Sequence, residues 1–295
     1  MTFISELMRA AGVLAGLAVG DALGAPLEGA GPPEKQLTEF IAGGRFPRSA
    51  GNYTDDTLQA VALAESIAAC GGFCPEDVIS RMITGFKRFP EYYGPTSGAV
   101  FRLVGEGVPP YRAAAMVHRS AGGSRTNGSV MRGAPVGVYY SGPSLEPISI
   151  CCSKLTHFDP VAGACSAWLN RMVSDMVRGR SRTAAFAHAR SRCRSPELIR
   201  KLGEYRRFDP KPGLDAVLCT HAAISCFMET RDFEEAVVKA INLGGDADTV
   251  GACCGALAGA FYGAGAIPAR WISGLEDADA ILSLGCRLWA APGRE

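Results

Sequence analysis

Two apolar runs, one near each end of the chain, carry glycines at a strict spacing of four: Gly12, Gly16 and Gly20 in the first, Gly251, Gly255, Gly259 and Gly263 in the second. That spacing puts residues on one stripe of an α-helix. Glycine inside a helix costs about 1 kcal/mol relative to alanine, so a repeated stripe implies an offsetting gain from close backbone packing against a neighbour. A helix is therefore predicted over residues 3–24, with Leu14, Leu17 and Val19 supplying bulk around the stripe, and another after Gly244. A mobile glycine-rich segment would lack this apolar periodicity.

Helical periodicity recurs at 57–70 and at 75–88, where Pro75 starts the helix and Glu76 and Asp77 fill its first turn. It also appears through Phe101 and Leu103, and at 111–119, 160–178, 213–228 and 232–242. Residues 30–53 read as irregular, and GGSRTNGSVMRGAP reads as a loop running into a short apolar segment. Convincing strand alternation is absent, so the expected class is all-α.

Apolar residues make up 47% of the 295, enough for a large core, and 30 Lys and Arg balance 29 Asp and Glu. That balance gives no reason to expect nucleic acid or an anionic membrane as partner. The one biased stretch, 171–211, is read as a solvated helical face, with phosphate or partner contact as the alternative. The 11 cysteines do not form a disulfide framework; most read as small buried hydrophobes, and a reducing cytoplasm is expected. Cys70 and Cys74, with only four histidines in the chain, are a weak basis for zinc or iron–sulfur. Glu6 and Asp21 interrupt the apolar N-terminal run, so neither a signal peptide nor a membrane span is expected.

Two short acidic motifs carry the chemistry: Tyr53-Thr54-Asp55-Asp56-Thr57 and Gly244-Gly245-Asp246-Ala247-Asp248-Thr249. Each opens into an alanine-rich helix, so its acids could simply cap that helix. Capping needs one acid or hydroxyl, however, and four carboxylates gathered without a cation would repel one another. Carboxylates and hydroxyls are hard ligands suited to Mg²⁺ or Mn²⁺, provided the two motifs meet in space. Glu28 is a further acid just past the first glycine-striped helix. The 122–133 loop offers hydroxyls, an amide and backbone N–H groups for an anion or sugar. It is no Walker loop, and neither a G-x-G-x-x-G after a strand nor a G-x-S-x-G elbow occurs. His157 precedes a predicted helix, where a structural role is as plausible as a functional one.

GLAVGDALGAPLEG at 16–29, YTDDT at 53–57, TNGSVMRGAP at 126–135, LTH at 155–157 and GGDADTVGACCGALAGAFYG at 244–263 resemble, in order and spacing, the motifs of the ADP-ribosylglycohydrolase family. The resemblance runs from Gly12 to about Trp271. It implies a compact, single-domain, all-α orthogonal helical bundle over 1–295, and a centre of two divalent cations, Mg²⁺ or Mn²⁺. By position it implies Thr54, Asp55, Asp56 and Asp248 on one metal and Asp246, Asp248 and Thr249 on the other. Glu28 would lie beside them, with Glu28, Asp55 or Asp56 handling the attacking water. Asn127, Gly128, Ser129 and Met131 would form the ADP-ribose loop, and His157 would sit near the adenosine side.

The resemblance further implies hydrolysis of the glycosidic bond between ADP-ribose and a protein side chain or small leaving group; separately, a monomer is expected. Tyr92, Tyr93 or Phe158 would be available to stack on adenine or on the leaving group. Arginine-directed members carry an acid just before a G-N-T segment; the equivalent Tyr92-Tyr93-Gly94-Pro95-Thr96 has none, which favours serine, phosphate or a small metabolite as leaving group. Two alternatives remain: a non-catalytic ADP-ribose-binding or structural relative, and a metal-dependent phosphohydrolase.

Overall fold

The computed structural model describes residues 4–294, so residue 3 of the expected first helix lies outside the described residues. Fifteen α-helices and no strand occur among them: α1 (Glu6–Gly24), α2 (Asp55–Cys70), α3 (Pro75–Arg88), α4 (Pro95–Gly105), α5 (Pro110–Ser120), α6 (Ala134–Tyr139), α7 (Leu145–Lys154), α8 (Pro160–Val177), α9 (Arg182–Arg192), α10 (Pro196–Lys201), α11 (Ala216–Glu229), α12 (Phe233–Ile241), α13 (Ala247–Tyr262), α14 (Ala269–Gly274) and α15 (Ala278–Ala290). The all-α expectation holds. Residues 28–54 contain no helix and run over the molecule between α1 and α2.

The two glycine stripes pack on each other. Gly12 faces Gly259, Gly16 faces Gly255, Gly20 faces Gly251 and Gly24 faces Ala247. The descending partner numbers make α1 and α13 antiparallel. A Cβ added to Gly12 would lie 2.6 Å from the Gly259 carbonyl oxygen, and one on Gly16, Gly20, Gly251, Gly255 or Gly259 would meet facing backbone just as hard. This backbone-on-backbone contact is what offsets the poor helix propensity. Gly263 leaves the stripe: with φ +78° it closes α13, its N–H bonded to Gly259 O.

Every residue of α1 from Ala10 to Gly24 is buried. The helix is apolar and long enough to cross a bilayer, but 89% of that apolar window is covered by the protein itself, as a core helix would be. Six cysteines (152, 165, 219, 226, 253 and 254) are buried, and all eleven are free. Part of the basic stretch departs from a solvated face. Arg171 is buried and donates to Ser141 O and Gly142 O, while Arg178 donates to Gly137 O at 3.2 Å and stacks on Trp289. These cations close a loop and a helix end, where backbone carbonyls need donors.

Candidate active site

The antiparallel glycine contact decides where the site lies. It sets the C-terminal end of α1, which leads to Glu28, beside the N-terminal end of α13, which carries Asp246 and Asp248. A backbone clasp reinforces the junction: Gly29 N donates to Gly245 O at 2.7 Å, and Gly245 N donates to Ala30 O at 2.7 Å. Gly244 and Gly245 both have positive φ, +71° and +64°, and a Cβ on Gly244 would lie 2.6 Å from Gly31 C. Only glycine fits that turn.

The second acidic loop is anchored by a residue that was legible only as a stray charge. Asp21, in the last turns of α1, is fully buried. Its carboxylate accepts from Thr54 N at 3.1 and 3.0 Å, Thr54 Oγ1 at 2.9 Å, Thr57 N at 3.0 Å and Thr57 Oγ1 at 2.6 Å. The glycine-paired helix therefore holds both acidic motifs, one at its end and one through Asp21. Because Thr54 gives its hydroxyl proton to Asp21, its oxygen lone pairs remain for Asp56 N, 3.3 Å away, and for a cation. An Asp21→Asn variant turns an NH₂ toward threonine donors. It is expected to lose about 2–3 kcal/mol in urea unfolding, only partly offset by relief of repulsion on Asp55.

Glu28, Thr54, Asp55, Asp56, Asp246, Asp248 and Thr249 all line one cavity of about 380 Å³. Burial pushes the Asp55, Asp56 and Asp248 carboxyls well above the usual range, and neighbouring acids push further: Asp21 on Asp55, Asp248 on Asp56, Asp246 on Asp248. Asp246 is raised mainly by burial. Neutral amides orient two of these acids. Gln59 Nε2 donates to Asp55 Oδ2 at 2.7 Å, and Asn127 Nδ2 donates to Asp246 Oδ2. An amide fixes a carboxylate without cancelling its charge, which leaves that charge for a cation. Asp56 Oδ2 is buried with no hydrogen-bond partner. Capping does not account for the set, because Asp246 occupies the N-cap of α13 without making a side-chain cap bond. Among the described residues no three acidic, His or Cys side chains are already drawn together as a closed metal cluster. The donor chemistry and the orphaned Asp56 oxygen fit hard cations; the side chains would still have to close on them.

The opposite wall comes from the 126–131 loop. Thr126, Asn127, Gly128, Met131 and His157 line the cavity. Ser129 does not: it is fully buried and accepts from Ser153 Oγ at 2.8 Å, pinning the loop from behind. His157 packs closely enough on Gly128 that a Cβ there would sit 2.9 Å from His157 Cε1. Arg132, fully buried, lies behind the loop and donates to Gln59 Oε1 at 2.7 Å and Gly128 O at 3.0 Å. It thus links the Asp55 orienter to the loop.

Tyr92 and Tyr93 line the cavity, whereas Phe158 lies elsewhere, packed by Lys154 and His118. Arg45, Phe46 and Arg48, which periodicity gave no reason to single out, complete the mouth. Arg45 pairs with Glu28 at 2.9 Å. Arg48 donates to Ala25 O at 2.8 Å and lies over the Tyr92 ring, but its Nε and its other terminal nitrogen are buried with no acceptor among the described residues.

Known proteins resemble this chain over nearly its full length. The ADP-ribosylglycohydrolase family model matches residues 4–295. The chain is 32% identical to ADP-ribosyl-[dinitrogen reductase] glycohydrolase of Rhodospirillum rubrum, covering 94% of this chain and 93% of that protein. It is 27% identical to ADP-ribosylarginine hydrolase Tri1 of Serratia proteamaculans (96% and 80% covered) and 25% identical to human ADP-ribosylhydrolase ARH3 (93% and 92%). A solved structure titled ADP-ribosylglycohydrolase-related protein complex superposes with a TM-score of 0.86 at 32% identity, over 97% of this chain and 98% of that one. With the fold, the motifs and nearly the full length in agreement, the chain belongs to the ADP-ribosylglycohydrolase family and is a hydrolase of ADP-ribosyl glycosidic bonds.

Proposed function

We propose that this hydrolase works with two divalent cations, Mg²⁺ or Mn²⁺, and releases ADP-ribose from a leaving group other than arginine. The observation that carries the metal reading is the convergence of Asp55, Asp56, Asp246 and Asp248, from two loops far apart in sequence, on one cavity with their charge left uncancelled. Thr54, Asp55, Asp56 and Asp248 would hold one ion, and Asp246, Asp248 and Thr249 the other. Bound there, the ions supply Lewis acidity to ribose hydroxyls and to water. Glu28 takes the proton of the attacking water. Its Oε1 accepts from Arg45, which leaves Oε2 for that proton. The Asn127–Gly128 loop orients the ADP-ribosyl moiety, and Met131 and Tyr93 keep bulk water from the buried acids.

The raised carboxyls give a stability test. In the unfolded chain these acids titrate near about 3.9. Folded, they hold their protons to higher pH, so the folded state binds more protons than the unfolded one. Metal-free stability should therefore fall as pH rises from about 4 through the raised values. Calorimetry should show a metal-free Tm lower at pH 8 than at pH 5, and a Mg²⁺- or Mn²⁺-induced rise that is larger at pH 8. Saturating metal at a hundred times Kd adds about 2.7 kcal/mol. A Tm indifferent to both metals at both pH values would remove the metal reading.

Arg48 carries the leaving-group reading. A guanidinium with two buried, unmatched nitrogens at the mouth repels a second guanidinium and offers N–H donors to an oxygen-bearing group. Glu91 is exposed at the same mouth, beside the Glu28–Arg45 pair. The test is a metal-loaded panel of arginine-, serine- and cysteine-linked ADP-ribose, O-acetyl-ADP-ribose, ADP-ribose 1″-phosphate and poly(ADP-ribose). An oxygen-linked substrate is expected to outrun the arginine-linked one in kcat/KM by about tenfold or more. The reverse order would overturn the leaving group while keeping the enzyme class. A uniform blank would favour a binding relative.

A further inference from the structure

We propose that Arg132 sets the proton order of a buried relay through Thr156 and His157, and so makes the Thr126 hydroxyl a committed hydrogen-bond donor to a lone-pair oxygen of the ligand. The proton order stands on hydrogen-bond chemistry alone. The ligand oxygen, on a pyrophosphate or ribose, rests on the function proposed above.

The relay begins with a group that can only donate. Arg132 is fully buried and makes no ion pair among the described residues; one terminal nitrogen donates to Thr156 Oγ1 at 2.7 Å and to Cys152 O at 3.3 Å. A guanidinium has five N–H groups and no acceptor. Thr156 Oγ1 must therefore accept from it. Thr156 is itself fully buried, and its other side-chain neighbour is His157 Nδ1 at 2.8 Å. If the imidazole carried its proton on Nδ1, Thr156 would receive two donors and its own hydroxyl proton would be stranded in a dry site, which is costly. The order that wastes no proton runs Arg132 to Thr156, then Thr156 O–H to Nδ1. It leaves the imidazole neutral with its proton on Nε2. Burial and the nearby Arg132 charge hold His157 at a pKa of about 3, so a second ring proton does not enter near neutrality.

The Nε2 proton has one destination: Thr126 Oγ1, 2.8 Å away. Having accepted it, Thr126 must send its own proton elsewhere, and Thr126 lines the cavity. Its hydroxyl thus arrives as a donor whose direction is fixed three residues upstream, before any ligand is present. Preorganised donors bind more tightly than hydroxyls that must first reorient. Gly128 serves the same end, because the His157 ring occupies the space a Cβ would fill. Arg132 and Thr156 are positioning residues; Thr126 is the contact.

The test uses the full chain with ¹⁵N-labelled histidine. The chain has four histidines, so the His157 ring signals can be assigned by comparison with a His157→Asn spectrum. The expected pattern is a neutral ring between pH 5 and 8, protonated on Nε2, with Nδ1 an acceptor. A ring protonated on Nδ1, or one that titrates in that range, overturns the relay. Thr156→Val should erase the single tautomer and weaken ADP-ribose binding, read by calorimetry, while Thr156→Ser restores both. Thr126→Ala, which opens the position to cavity water, should keep the tautomer and weaken ADP-ribose binding by about tenfold. Unchanged affinity in Thr126→Ala overturns the donor role. If the unsubstituted protein fails to bind ADP-ribose, the functional reading and with it the ligand of Thr126 fall, whereas the ring signals still decide the proton order.

Discussion

Asp248→Asn is expected to lower kcat by at least about a hundredfold and to leave a metal-free protein as stable as the parent, or more so, at pH 8. Removing groups that merely orient a metal ligand costs 10- to 100-fold in metal affinity or activity, and Asp248 is proposed as the ligand shared by both ions. The stability expectation has the opposite sign because Asp248 is buried and repelled by Asp246, Glu28 and Asp21, so deleting its charge relieves strain. Asparagine keeps the oxygen that accepts from Thr249 N at 2.9 Å, so the turn survives. Paired measurements of turnover and urea midpoint separate the readings. A residue that only capped α13 would lose stability and keep turnover.

Gly16→Val should lower the thermal midpoint sharply and broaden the unfolding transition. A Cβ at Gly16 overlaps the Gly255 carbonyl oxygen, and because that obstacle is backbone it cannot swing aside as a flexible side chain could. Two core helices would have to separate, at a cost on the order of 4 kcal/mol, a large share of the roughly 5–15 kcal/mol that holds a domain together. Gly105→Ala is the contrast: it lies at the end of α4 with open space at the Cβ position, and should be neutral or mildly stabilising. Thermal unfolding followed by circular dichroism distinguishes the two. A normal transition in Gly16→Val would mean that the stripe does not set the packing. Misregistering α1 and α13 would also separate Glu28 from Asp246, so partially folded material should lose metal binding before it loses helicity.

Legibility in the sequence followed the physics of each feature. Glycine stripes report close approach, but each stripe speaks only for itself; that Gly12, Gly16 and Gly20 meet Gly259, Gly255 and Gly251 is a tertiary fact. Long apolar helices such as α8, α11 and α13 were readable from periodicity. Helices α9 and α10 were not, since α9 buries only Ala185 and Ala189 and α10 only Leu198. The acidic motifs announced themselves by excess charge. Asp21, Gln59 and Arg132 did not, because each works from behind the cavity; the one signal was a polar residue set among buried apolar neighbours on its helix or loop. Arg48 lies in an irregular stretch with no periodicity to interpret.

The central claim is glycosidic hydrolysis at a metal-loaded acidic centre. The most direct measurement is mass identification of the products from a serine-linked ADP-ribosyl peptide incubated with the protein and Mg²⁺ or Mn²⁺, with a chelated control. The account predicts free ADP-ribose and unmodified peptide with metal, and no product after chelation. AMP or phosphate as the product, or undiminished ADP-ribose release after thorough chelation, would contradict it.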